Sequence, residues 1–161
     1  MKIIIPLVFA VLLSGCITGS SVKEILYVDS NDIVSIVYTG SFTDGAVFDS
    51  GVINVTMGKG QVISGFEKAV LGMALNEEKT VKILSNDAYG SIDSNLIFSM
   101  PVDVLTENNI VPETGMMLQL ESGAKALIRD VNETDVLLDF NHPLAGQDLV
   151  FKLRVVSIKK S

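Results

Sequence analysis

Two stretches of regular alternation, near opposite ends of the chain, constrain the fold more than any other feature. In DIVSIVYTGSF, residues 32–42, Val34, Ile36 and Tyr38 share one face and Ile33, Ser35, Val37 and Thr39 the other, which is the two-residue period of a strand. In DLVFKLRVVSI, residues 148–158, Leu149, Phe151, Leu153 and Val155 alternate with Lys152 and Arg154. The second stretch is expected to form a long strand closing the sheet that the first begins, so the domain they share is discontinuous in sequence. Between them, Asp44-Gly45 signals a tight turn. AVFDS and VINVTMG read as two short strands separated by Gly51, and EEKTVKIL as a third that leaves through the loop NDAYG. The best helix pattern is SGFEKAVLGM, where Phe66, Ala69, Val70 and Met73 follow i, i+3, i+4, i+7 spacing. Ser64 and Glu67 read as a capping box there, and Gly72 as a terminator. At about two turns such a helix does not persist alone in water, so the sheet must clamp its apolar face.

Residues 93–139 read as a separate unit. MMLQLE, the Ser122-Gly123 turn, AKALIRDV, the polar turn NETD and VLLDF make a β-meander pattern. A segment this short lies near the lower limit for independent folding, about 40 residues, and is expected to be propped against its host.

Composition and charge narrow the function. The net charge is −7, which opposes a nucleic-acid partner held through phosphates. One cysteine, Cys16, forms no internal disulfide, and one histidine, His142, leaves too few soft ligands for a zinc or copper site. Cys/His nucleophilic catalysis is disfavoured for the same reason. Lys2 precedes the apolar run IIIPLVFAVLL, which suits the core of an export signal but falls short of the roughly 20 residues of a spanning helix. Leu13-Ser14-Gly15-Cys16 resembles the lipobox of exported lipoproteins, so Cys16 is expected to be the mature first residue and to carry a lipid. The domain expectation is a signal peptide at 1–15, a lipid-anchored tether at 16–27, a discontinuous host domain at 28–92 and 140–159, and an insert at 93–139. The expected location is the outer face of the cytoplasmic membrane, held there by the anchor.

Four separated blocks then carry a family resemblance: VYTGSFTDGAVFDS (37–50), MGKGQVISGFEKAVLGM (57–73), AYG (88–90) and NHPLAGQDLVFKLRVVSI (141–158). Together they resemble FKBP-type peptidyl-prolyl isomerases. The segment after the β-rich unit is similar to the SlyD-like branch, in which an insert-in-flap domain interrupts the loop over the prolyl pocket. The resemblance implies an α+β fold, an antiparallel sheet wrapped around one short helix, with the small β-rich domain inserted. It places Tyr38, Phe48, Asp49, Val62, Ile63, Phe66, Tyr89 and Phe151 around the proline pocket, with Leu144, Ala145 and His142 on its rim. Tyr38, Asp49, Tyr89 and Phe151 would be the catalytic members. Phe66 stands where many members have tryptophan, which keeps an aromatic floor but loses the indole donor. The chain ends at Lys159-Lys160-Ser161 without the histidine- and cysteine-rich tail of some SlyD-like proteins, so neither metal nor other cofactor is expected.

Bland readings stand beside these. Taken singly, Tyr38, Phe48 and Phe151 are core aromatics, Asp49 is a solvated turn carboxylate, and His142 before Pro143 is a loop hydrogen-bonder. Two function classes remain. One is an isomerase acting on proline-containing, unfolded polypeptides. The other is a holdase with weak isomerase activity, whose insert presents Ile97, Phe98, Met100, Met116, Met117 and Leu118 as a deformable apolar surface. Those six residues serve equally as the insert's own small core. A monomer without nucleic-acid partners is expected in either case.

Overall fold

The computed structural model describes residues 25–120 and 122–161. The signal peptide, Cys16 and most of the expected tether lie outside the described residues.

Strands β1 (Ile33–Phe42), β2 (Val47–Thr56), β3 (Glu78–Ile83) and β8 (Leu149–Lys159) make a four-stranded antiparallel sheet in the order β2-β1-β8-β3. The alternation seen in sequence is the alternation of burial. Val34 and Ile36 of β1 and Leu149, Leu153 and Val155 of β8 are fully buried, while Ile33 and Val37 face outward. Helix α1 (Ser64–Val70) covers the buried face with Phe66, Ala69 and Val70, and the sheet thereby supplies the clamp that a seven-residue helix requires.

Three details differ from the sequence reading. First, β2 runs unbroken through Gly51, which pairs with Tyr38. A Cβ at Gly51 would still lie 3.7 Å from the Tyr38 ring, so the glycine neither bulges nor ends the strand. Second, the capping box does not form. Ile63 is the N-cap and offers only its carbonyl, Ser64 Oγ donates to Asp87, and Glu67 accepts from the Gly58 N–H. Third, Leu26 and Tyr27, expected in a tether, are joined to the segment after α1: Leu75 N–H donates to Leu26 O, and Tyr27 bridges to Ala74. Strand β8 lies inside the sheet, between β1 and β3.

The residues between β3 and β8 build a second antiparallel sheet, β4 (Ile97–Pro101), β7 (Asp135–Asp139), β6 (Lys125–Val131) and β5 (Met117–Gln119), in the order β4-β7-β6-β5. Its β5-β6-β7 portion is the expected meander. Strand β4 and the single turn α2 (Asp103–Thr106) were not legible in the sequence. One face of this sheet carries Leu118, Ala126, Ile128, Val136 and Leu138, which pack with Leu105 of α2 into a second core.

The two chain crossings between the sheets are clasped together. Asn141 accepts from the Asp93 N–H at 2.9 Å and donates to the Asp93 carbonyl at 3.0 Å. Phe140 N–H donates to Leu96 O, and Gly146 N–H to Gly90 O.

The C-terminus is locked to the start of β1. Lys160 Nζ donates to Tyr27 O at 2.6 Å, Asp29 Oδ2 at 2.6 Å and Asp32 Oδ2 at 2.9 Å. Asp32 is 2% exposed. The Asp29 N–H and the Lys160 ammonium hold its carboxyl below the usual carboxylate range despite burial. A carboxyl depressed in the folded state stabilises above its unfolded pKa, and that contribution disappears as pH falls through the folded value. Lys160→Met is therefore expected to lower the melting temperature at neutral pH. The gap from the parent should close as pH is taken below about 4; a gap independent of pH would refute the lock.

A candidate prolyl pocket and an adjoining cavity

The aromatic residues of the first sheet converge. Tyr38 comes from β1, Phe48 and Asp49 from β2, Phe66 from α1 and Phe151 from β8. They meet Val62 and Ile63 from the segment entering α1, and Tyr89 from the loop after β3, around one cavity of about 220 Å³. All eight residues assigned to the pocket from sequence line it. Ile53 of β2 and Gln61 complete the wall; neither was anticipated, although Ile53 shares its face of β2 with Gly51 and Val55 by the two-residue period. A cavity of about 150 Å³ is enough for an aromatic ring, so a pyrrolidine ring fits.

The rings hold one another edge to face. Tyr38 and Phe66 centroids are 6.2 Å apart at 81°, Phe66 and Phe151 5.5 Å at 86°, and Phe48 and Phe151 5.9 Å at 83°. Such contacts contribute about 0.5–1.5 kcal/mol each beyond area burial. They also leave the cavity walls little rotational freedom. Gly40 makes the arrangement possible: a Cβ there would stand 2.6 Å from Phe48 Cζ and 3.0 Å from Phe151 Cε1. A glycine inside a strand pattern is the signal that could have exposed this close approach.

Polar groups sit at the mouth. Tyr38 Oη donates to Asp49 Oδ2 at 2.7 Å. Tyr89 is 38% exposed, and its hydroxyl has no hydrogen bond among the described residues. The loop bearing Tyr89 is tied from two sides. Ser64 and Lys68 of α1 both reach Asp87 Oδ1, at 3.1 and 2.7 Å, and Asp148 Oδ1 accepts from the Ser85 N–H at 3.0 Å.

The expected rim divides. His142 and Ala145 line a second cavity, of about 160 Å³, beside the first. Leu144 packs against the main core instead. His142 Nδ1 accepts from the Leu144 N–H at 3.1 Å, which makes it the loop hydrogen-bonder of the bland reading. Its ring nevertheless stacks on Tyr89, with centroids 4.0 Å apart and an interplanar angle of 4°.

The apolar surface expected on the insert also divides. Phe98 and Met117 are 52% and 48% exposed, whereas Leu118 is buried and Met100 and Met116 pack against it and its neighbours. Those three pack in the insert's core, Met100 from β4, Leu118 from β5 and Met116 from the residue before β5. Ile97 is half-buried.

The Tyr38–Asp49 bond has a spectroscopic consequence. The Asp49 carboxylate accepts the phenolic proton and repels the phenolate, and burial adds to the effect, so Tyr38 ionises above the ordinary tyrosine value. Ultraviolet titration should therefore contain a step above about 10 that belongs to Tyr38. Asp49→Asn should move that step down; an unchanged titration would show that the bond does not exist in solution.

Comparison with known proteins agrees with this architecture. Residues 27–136 match the family of FKBP-type peptidyl-prolyl cis-trans isomerases. The short-type peptidyl-prolyl cis-trans isomerase of Methanocaldococcus jannaschii is 41% identical over 107 residues, covering 66% of this chain and 68% of that protein. The FKBP-type isomerase SlyD of Escherichia coli K12 is 32% identical over 136 residues, covering 80% of this chain and 69% of that protein. SlyD of Vibrio cholerae is 29% identical over 139 residues, covering 82% and 69%. With its aromatic cavity built by an antiparallel sheet and one short helix, the chain belongs to the FKBP-type peptidyl-prolyl cis-trans isomerases.

Proposed function

We propose that this protein accelerates X-Pro isomerisation during the folding of exported polypeptides, acting as a monomer held to the membrane by a lipid on Cys16. The observation that carries the catalytic reading is the convergence of Tyr38, Phe48, Phe66 and Phe151 on one cavity with Asp49 and Tyr89 at its mouth.

The barrier to rotation, about 18–20 kcal/mol, arises from amide resonance. No covalent bond need change. A planar prolyl amide is more polar than a twisted one, so an apolar wall of Val62, Ile63, Phe66 and Phe151 raises the planar ground state relative to the twisted transition state. An acceleration of about ten-thousandfold requires about 5–6 kcal/mol, which desolvation and a few fixed hydrogen bonds supply. Tyr38 spends its proton on Asp49, so its role is to aim the carboxylate, a fixed dipole against the twisting amide and not a proton-transfer base. The Tyr89 hydroxyl is then the group available to donate to a substrate carbonyl.

Phe151 is 5% exposed on the central strand, and replacing it by Ala would cost about 3–5 kcal/mol of stability, which confounds an activity assay. Asp49 is exposed and a cleaner probe. Asp49→Ala should lower kcat/KM on a proline tetrapeptide by at least about tenfold, the worth of one charged hydrogen bond, while the melting temperature stays near the parent's. Unchanged kcat/KM would refute the assignment.

A holdase contribution from an insert-in-flap unit at 93–139 has its own support in the exposed Phe98 and Met117. Because Asp93 and Asn141 are hydrogen-bonded to each other, residues 94–140 can be replaced by a short glycine linker. That variant should lose suppression of aggregation yet isomerise tetrapeptides; retention of both activities would exclude the insert as the chaperone part. The anchor reading rests on the lipobox-like LSGC and the apolar run before it. Mass spectrometry of the membrane fraction tests it, since any mature start other than acylated Cys16 would overturn it.

A further inference from the structure

The second sheet has a face that its own core does not use. Lys125, Leu127 and Arg129 alternate with the buried Ala126 and Ile128 on β6, so all three point away from the insert's core. Leu127 pairs with Met117 on β5 and with Asp139 on β7. Together these residues form one wall of the 160 Å³ cavity, and the segment with His142 and Ala145 forms the other.

The strand is irregular just here. Ile128 pairs with Leu138 and Asp130 with Leu137, which leaves Arg129 as the extra residue of a β-bulge. Bulges recur beside functional sites. The guanidinium is then fixed: Arg129 Nε lies 2.6 Å from Asp139 Oδ2, and Asp139 is 4% exposed. The other carboxylate oxygen, Oδ1, is already taken by the Asn141 N–H and side-chain amide at 2.8 and 2.7 Å. Burial works to raise the Asp139 carboxyl, but these bonds and Arg129 together hold it below the usual range, so it stays charged at neutral pH. Lys125 has no carboxylate partner among the described residues. The wall thus offers two cations against one engaged carboxylate, a locally positive site on a chain of net charge −7. Met117 and Leu127 give it an apolar floor.

This cavity adjoins the aromatic one. Tyr89 lines the first, His142 lines the second, and the two rings are stacked face to face. The stacked pair is thus the shared boundary of the two cavities. We propose that the junction cavity is a second substrate subsite, which binds the carboxylate of an acidic residue in the same polypeptide whose proline occupies the aromatic cavity. The methylenes of a glutamate would lie on Met117 and Leu127, and its carboxylate would meet Arg129 and Lys125. This rests on the isomerase reading and adds to it a preference for acidic residues at a fixed distance from proline.

The test is a series of peptides with one proline and a single Glu placed one position further away in each member, with Gln at the same position as control. At one spacing the full chain should show about a tenfold higher kcat/KM for Glu than for Gln, the size of one charge-assisted contact. Raising the salt should reduce that ratio, since the site is open to solvent. Lys125→Gln should shrink it, and the triple variant Lys125→Gln, Arg129→Gln, Asp139→Asn, which keeps the buried pair neutral and hydrogen-bonded, should abolish it. Gln peptides should be isomerised equally by parent and variants. Equal rates for Glu and Gln at every spacing, or a ratio unaffected by Lys125→Gln, would overturn the proposal while leaving the isomerase reading intact. If no peptide is isomerised, that reading falls, and nuclear magnetic resonance of the Arg129 Nε–H decides the subsite independently. Its signal should move with the Glu peptide and not with the Gln peptide; movement with both or with neither would refute the subsite.

Discussion

Pairing of β8 between β1 and β3 is the constraint on which the remaining structure depends. The strand brings Phe151 to the pocket, fills the centre of the sheet with Leu149, Leu153 and Val155, and delivers Lys160 to Asp32. It arrives only after the chain has left the first sheet at β3 and built the whole second sheet. Without the clasp between Asp93 and Asn141, that excursion would be a long loop whose closure entropy opposes the pairing. A folded insert with crossings joined through Asn141 and through Gly90–Gly146 converts the excursion into a short connection. The second sheet thus stabilises the first partly by shortening the effective loop.

The aromatic cavity shows why the insert does not need to contribute chemistry. Every ring comes from the first sheet, α1 or the loop after β3, and the rings restrain each other through edge-to-face contacts around Gly40. A wall packed in this way suits the proposed desolvation mechanism, in which preorganised groups keep reorganisation on binding small. The wall is mostly apolar, and the polar groups at the mouth are held by neighbours. Asp49 is aimed by Tyr38, and Tyr89 is carried on a loop pinned by Lys68, Ser64 and Asp148. An apolar interior with fixed polar groups at its edge can separate the two halves of an amide, ring inside and carbonyl outside.

Legibility in the sequence followed the range of the interactions. The alternation in β1 and β8 reports burial on one face, a local property, and was readable directly; so was the helical spacing of Phe66, Ala69 and Val70. The eight pocket residues were found through family-like blocks rather than periodicity, because alternation says that Tyr38 and Phe151 point inward but not that they share a cavity. What escaped depends on partners distant in sequence. The capping box failed because Asp87 competes for Ser64 and the Gly58 N–H competes for Glu67. Strand β4 was missed because IFSMP is short and ends in proline, and it is a strand by virtue of lying along β7. Met100, Met116 and Leu118 read equally as an adhesive surface or as core for the same reason: composition records that they are apolar, and only packing records that the insert consumes them.

The bulge at Arg129 serves the second core and the junction at once. A regular β6 would set Asp130 opposite Val136, whereas the shift sets Val131 there, packed into the core. Arg129 keeps the outward face, and the last residue of β7, Asp139, is a buried anion satisfied from both sides, by Arg129 and by Asn141. Asn141 is also the clasp that holds Asp93. The ion pair and the closing of the crossing are therefore one hydrogen-bonded unit, in which the guanidinium is oriented by the same residues that fix the insert to its host. A cation held in this way loses little freedom when it meets a carboxylate, and that is the physical condition under which a half-exposed charge pair contributes to recognition rather than vanishing into solvent.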